Sequence, residues 1–301
     1  MGPWSHCVTG GVFPQRRYGW RAAEAGIDVA GLHERFYAQQ LGGRCSAGPA
    51  VQLFVMGLDQ WREFDSWPPE SGTAYSLYLH SSGQANTRGG DGQLSTQEPD
   101  SEPADNYRYQ PRDPVPTCGG ATLMTGMSVG SDCGPLDQRQ VQARADVLCY
   151  TSLPLRSPMP VVGEVVLELY ASTSGLDTDF TGKLVDVWPD GRAEILCDGI
   201  IRARLRDSPQ QFSPVVPGKV YRYQLTLGAT ANFFHSEHRI RLEVSSSNFP
   251  RFAPNHNTGA SFAESTEQIA VLNTVLHERN YPSRLILPLL PEGASCEHTR
   301  D

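Results

Sequence analysis

No apolar run in the 301-residue sequence approaches the roughly 18 residues that a membrane span needs. Residues 1–20 also lack the basic head and apolar run of a signal peptide, so a soluble, cytoplasmic protein is expected. No Lys/Arg-rich run occurs either. With 25 basic against 33 acidic side chains and a formal charge of −8, the chain offers no positive surface for phosphate. Nucleic acid and anionic membranes are thereby excluded as expected partners. Paired cysteines are missing too. The seven, Cys7, Cys45, Cys118, Cys133, Cys149, Cys197 and Cys296, are odd in number and scattered, with no CxxC. Reduced, incidental thiols follow, with neither a zinc site nor a disulfide framework.

What is present is turn chemistry. Gly (29) and Pro (23) are abundant, with β-branched and aromatic residues in short runs between them. This composition predicts a mainly β fold. One segment has helical period: between Ile27 and Leu41, residues Val29, Leu32, Phe36, Tyr37 and Leu41 share a face, Asp28 is placed as N-cap, and Gly42-Gly43 is a stop. The apolar run Val51–Met56 suits a strand covered on both faces, as in a parallel α/β sheet.

After Trp67-Pro68-Pro69 short alternating strands take over, and a boundary is expected near Gly72. Residues 81–117 read as a polar surface loop with small hairpins, and Tyr75–Leu79 and Tyr107–Tyr109 as strands. Further strands are expected at Val165–Tyr170, Lys183–Trp188, Ala193–Cys197, Ile201–Leu205, Val220–Leu227, Arg239–Val244, Val271–His277 and Leu285–Leu290. Their spacing is that of a β-sandwich or jelly roll. Arg202, Arg204 and Arg206 alternate with apolar neighbours and read as a solvated sheet face, not an anion site. Asp177, Asp179, Asp186, Asp190 and Asp198 lack calcium-loop spacing and read as turn and surface residues.

Gly126-Met127-Ser128-Val129-Gly130 matches the GxSxG of a nucleophile elbow, which requires a strand-to-helix turn. The following Ser131-Asp132-Cys133-Gly134-Pro135 cannot start an ordinary helix, so Ser128 is not read as a nucleophile. His235 and His238 have HxxH spacing but lead into a strand, where a three-residue offset separates their faces and disfavours a metal. His33, His80, His256, His277 and His298 read as surface or core residues, and Cys7 beside His6 has no orienting third group. His6 itself, in Gly2-Pro3-Trp4-Ser5-His6, is a loop histidine at a position open to a general base.

That loop resembles the one bearing the triad histidine in cocaine-esterase-like serine hydrolases and their X-Pro dipeptidyl-peptidase and acylase relatives. The likeness runs in order through Leu53–Gly57 with Trp61-Arg62, Asp113–Thr117 with Gly119-Gly120, Gly134–Arg139, Asp146–Leu148, Asp177–Thr181, Lys183–Val187, Asp190–Ala193, Ser245–Phe252, Asn257–Gly259 and Pro282-Ser283. The resemblance implies that residues 1–72 are the end of an α/β-hydrolase domain: histidine loop, last helix, last strand. Residues 73–301 are implied to be a jelly-roll domain. It implies a reaction on ester, amide or peptide bonds of small-molecule substrates, without cofactor or metal, in which His6 relays a serine proton while an aspartate holds its ring.

In the family both partners lie upstream of this histidine. The serine, the acid and the oxyanion donors are therefore expected outside residues 1–301, from a truncated gene or a misassigned start, and the chain alone should be inactive. Leu123 and Met124, in the apolar run after Gly119-Gly120, are candidates for an acyl or leaving-group pocket. With residues 1–72 lacking sheet neighbours, a protease-resistant fragment is expected to begin near residues 70–80. The alternative reading is a freestanding jelly-roll module binding carbohydrate or protein, which would have no use for His6 in its Gly-Pro-Trp setting. Oligomeric state is left open.

Overall fold

The structure, a computed structural model, describes residues 1–6, 8–42, 49–69, 74–122, 133–260 and 266–290. In chain order it contains α1 (Val29–Gly42), β1 (Val51–Val55), β2 (Gln60–Phe64), β3 (Ala74–His80), β4 (Gln93–Ser95), β5 (Asp105–Tyr109), β6 (Leu148–Ser152) and β7 (Met159–Thr173). Then follow β8 (Asp179–Val187), β9 (Ala193–Arg202), β10 (Tyr221–Phe234), β11 (Arg239–Ser245), β12 (Val271–Glu278), β13 (Tyr281–Pro282) and β14 (Arg284–Pro288). The mainly β sandwich expected from composition is what forms.

The long strand β7 is its spine. It pairs antiparallel with β10 along one edge, from Tyr221 opposite Ala171 to Phe234 opposite Met159, and with β12 and β14 along the other. From β14 the ladder runs on through β3, β4, β6, β11, β8 and β9. β9 then lies against β10: a Cβ on Gly199 would fall 2.2 Å from the Thr226 carbonyl, so only glycine allows the approach. In β10 the buried positions are Tyr223, Leu225 and Leu227, then Thr230, Asn232 and Phe234. The change of phase coincides with a register shift between Thr226 and Gly228, where one extra residue turns the strand over. Both halves thus bury their side chains.

Leu167, Leu169, Leu184, Tyr223, Ile240, Leu242 and Leu285 are sealed in the core this creates. Each such side chain contributes about 1.5–3 kcal/mol.

Four details depart from the sequence reading. β9 ends at Arg202, and Ala203–Leu205 is a 3-10 turn, so the arginine row does not lie on a solvated sheet face. Arg202 turns in to Asp179 (3.0 Å), Arg204 to Asp177 (3.2 Å), and Arg206 donates to the carbonyls of Ala203, Ser213 and Pro214. Asp177, Asp179, Asp186 and Asp198 are likewise buried, not surface residues; only Asp190 serves a turn. Each buried carboxylate has a cationic or imidazole partner.

β1 forms where the apolar run placed it, but its partner is β2, antiparallel, in a hairpin through Gly57 at φ 87°. Lastly, His235 and His238 do not separate: Glu237 takes a left-handed conformation (φ 67°) and brings the rings to 5.4 Å.

α1 forms as expected, with Asp28 Oδ1 accepting the Gly31 N–H at 3.1 Å. No described residue of α1 is buried, and Phe36, Tyr37 and Leu41 stand exposed.

Candidate functional site

The chain ahead of α1 is held to the sandwich by a small apolar cluster of Phe13, Tyr18, Ala22, Phe54 and Cys133. A hairpin turn presents two of these: the Phe13 N–H reaches the Arg16 carbonyl (2.8 Å) and the Tyr18 N–H the Gly11 carbonyl (2.9 Å). The Phe13–Tyr18 and Tyr18–Phe54 rings meet edge to face. Arg16, at the tip, lies over Tyr18 and Trp188 and reaches Asp59 at 3.3 Å. Gln15 accepts the Asp137 N–H across the same junction.

The histidine loop is fixed from this base. Trp4 donates its indole N–H to the Ala22 carbonyl at 2.6 Å and packs against Trp61. A Cβ on Gly2 would lie 2.4 Å from the Trp4 ring, which explains a glycine there. Ser5 and Val8 exchange backbone hydrogen bonds, Ser5 N–H to Val8 at 3.2 Å and Val8 N–H to Ser5 at 3.3 Å. His6 follows Ser5 in the loop that these two bonds close. The imidazole is exposed and has no hydrogen-bond partner among the described residues. The turn is tied to the jelly roll by Ser5 Oγ, 3.2 Å from Cys133 Sγ.

His6 borders a cavity of about 390 Å³ between the N-terminal loop and the jelly roll. Phe13, Tyr18 and Met56 form one side; Thr122, Pro135, Ile195 and Leu196 form the other. A larger groove, about 740 Å³, runs between α1 and the β1–β2 hairpin. Its lining includes His33, Arg35 and Glu63.

Two histidine clusters lie elsewhere, and spacing in the sequence could not have found either. His238 Nδ1 meets Asp186 Oδ1 at 2.8 Å under the Trp188 ring. His277 lies between carboxylates, Nε2 at 2.9 Å from Asp105 and Nδ1 at 3.2 Å from Glu102, with Ser81 Oγ 3.1 Å from Nε2. Serine, imidazole and acid are thus together, but His277 and Asp105 are sealed and the Ser81 hydroxyl donates to Asp105 at 2.7 Å. The serine hydroxyl is thus engaged by the acid and not by the imidazole as a base, and the group joins β5, β12 and the chain after β3. Among the described residues no group of three His, Cys, Asp or Glu could hold a metal. Leu123, Met124 and Ser128 lie outside the described residues; Thr122, next in chain to Leu123, is on the cavity wall.

Residues 44–286 match the family described as the X-Pro dipeptidyl-peptidase C-terminal non-catalytic domain. Cocaine esterase of Rhodococcus sp. (strain MB1 Bresler) is 42% identical over 296 residues, 96% of this chain and 51% of that protein. An aminopeptidase from a marine-sediment Thaumarchaeota archaeon superposes with a TM-score of 0.83 at 28% identity, covering 96% of this chain and 48% of that one. An α-amino acid ester hydrolase superposes with a TM-score of 0.81 at 27% identity, covering 96% and 49%. The chain spans about half the length of each of these relatives.

Proposed function

The chain belongs to the X-Pro dipeptidyl-peptidase C-terminal non-catalytic domain family, and we propose that it is the C-terminal part of a cocaine-esterase-like serine hydrolase in which His6 is the general base of the triad. The carrying observation is the imidazole itself, exposed, unpaired among the described residues and mounted on a fixed turn beside an apolar cavity. A histidine that served packing would be buried or paired, as His277 and His238 are.

In the proposed reaction a serine hydroxyl, supplied from outside residues 1–301, attacks the carbonyl carbon of an ester or amide. His6 takes the hydroxyl proton and then delivers it to the leaving oxygen or nitrogen. An aspartate, likewise supplied from outside, orients the ring. Water regenerates the serine by the same relay. Residues 1–72 are proposed to belong with the catalytic α/β part and residues 73–301 to the jelly roll, with Leu123 and Met124 in the acyl or leaving-group pocket.

A polypeptide of residues 1–301 alone is then expected to be inactive. Removing a triad serine costs about a millionfold in turnover, and without oxyanion donors little residual rate is left. The purified chain should not hydrolyse p-nitrophenyl acetate above the buffer rate. Rapid turnover that His6→Ala abolishes would overturn this assignment of parts.

A further inference from the structure

Strand β9 carries an irregularity beside the cavity. Cys197 pairs with Leu184 and Ile195 with Val185, which leaves Leu196 as an extra residue without a partner on β8. Such a bulge bends the strand and re-aims a side chain. In a regular strand two consecutive residues face opposite sides of the sheet. Here Ile195 and Leu196 both line the cavity that His6 borders.

The wall around them is shaped by glycine. Gly120 and Gly134 exchange backbone hydrogen bonds at 2.8 and 2.9 Å, both in left-handed conformations (φ 72° and 84°). Phe13 lies directly on Gly134, where a Cβ would meet its ring at 2.3 Å. Beneath Gly120 the Asp198 carboxylate is already held by Arg251 (2.5 Å) and Asn248 (3.0 Å). Of the described lining residues only His6 and Tyr18 are titratable. Tyr18 donates to Met56 Sδ at 3.3 Å, and burial pushes its pKa up, so it stays neutral. No carboxylate lines the described wall, so the described residues offer a buried ammonium no partner, and burying one unpaired costs several kcal/mol.

We propose that the bulged pair Ile195–Leu196 is a specificity wall that seats an uncharged aryl or branched alkyl group of the substrate. The proposal rests on the reading of His6 only for which reaction the wall serves. The volume, about 390 Å³, lies within the usual range of small-molecule sites, and the apolar lining with few polar groups is typical of them. Leu196 is the partly exposed member, so its side chain meets the ligand, while Ile195 backs it from the core.

The test needs no turnover. Residues 1–301, with isoleucine, leucine and methionine methyls labelled, are titrated with benzamide and, separately, with benzylammonium, which keeps the ring and adds a charge. Benzamide should shift the Ile195, Leu196 and Met56 methyl signals, and benzylammonium should bind at least about tenfold more weakly, a difference of about 1.4 kcal/mol. Leu196→Trp, which fills the cavity, should weaken benzamide about tenfold or more. Unshifted methyl signals in the unsubstituted chain, or equal binding of benzylammonium, would overturn the proposal even if the tryptophan variant failed to fold. A failure of His6 to act as base would leave the binding result standing, and absent binding would leave the role of His6 intact.

Discussion

Replacing Asp105 by Asn should destabilise the jelly roll by about 3–5 kcal/mol, the usual cost of breaking a buried ion pair from one side. The carboxylate is fully buried and accepts four hydrogen bonds: from Tyr150 (2.7 Å), Ser81 (2.7 Å), His277 Nε2 (2.9 Å) and the Ala85 N–H (2.8 Å). It therefore ties β5 to β6, β12 and the chain after β3. Asparagine turns an amide N–H₂ toward these donors and leaves His277 beside the single carboxylate of Glu102, which His80 also engages at 2.7 Å.

Burial alone would lower the His277 pKa. The hydrogen bond and charge of Asp105, with the charge of Glu102, outweigh it and leave it raised above its ordinary 6.5. Burial would likewise raise Asp105. Hydrogen bonds from His277, Ala85, Ser81 and Tyr150 prevail and leave it below 3.8. A raised histidine stabilises fully below 6.5 and loses this as pH rises through its folded value; a depressed carboxylate stabilises above 3.8 and loses this as pH falls through its folded value. The gap between wild type and variant should thus be widest between pH 3.8 and 6.5 and narrow on either side. For a domain of this size the loss is roughly 6–20 °C in Tm. Calorimetry from pH 4 to 9 checks it. A deficit below about 1 kcal/mol at pH 5, or one that grows above pH 7, would refute the reasoning.

Lys183 and Glu243 are both buried, 3.8 Å apart, on neighbouring positions of β8 and β11 that Gln138 and Gln142 cover. Lys183→Met should cost about 3–5 kcal/mol in urea unfolding, and adding Glu243→Leu should recover most of it; a double variant as unstable as the single would contradict the pairing. Phe13→Ala removes the ring that rests on Gly134, so hydrogen exchange should quicken across residues 8–24 while β10 and β11 keep their protection. Uniform loss of protection would show that the N-terminal hairpin is integral to the sandwich.

β11, where Ile240, Leu242 and Val244 alternate with Arg239, Arg241 and Glu243, was legible in the sequence, and β8, β10 and β12 overlap the apolar runs that pointed to them. β2, β4 and β6 were not legible. Gln60-Trp61-Arg62-Glu63-Phe64 carries two charges in five residues and holds as a strand because β1 supplies its ladder. Gln93–Ser95 is too short for a period to show, and is fixed by β3 and β6 on either side. The arginine row misled because alternation describes a strand only while the backbone stays extended; at Ala203 it coils, and three guanidiniums fold inward. The buried aspartates follow from the same turn and from partners distant in sequence, such as Arg251 for Asp198.

For the site, the Gly-Pro-Trp-Ser-His loop was legible and the cavity beside it was not. Its far wall comes from Gly120, Ala121, Thr122, Gly134 and Pro135 and from a bulge in β9, and a bulge is a mismatch between two strands, invisible in either alone.

The central claim is that His6 serves a serine held in another part of the enzyme. A chimera joining the N-terminal half of the Rhodococcus cocaine esterase to residues 1–301 tests it most directly, with initial rates on an activated ester as the readout. The chimera should be active where residues 1–301 alone are not, and His6→Ala should lower its turnover by about 10⁴-fold or more without a comparable change in KM. An active chimera whose turnover survives His6→Ala would contradict the claim.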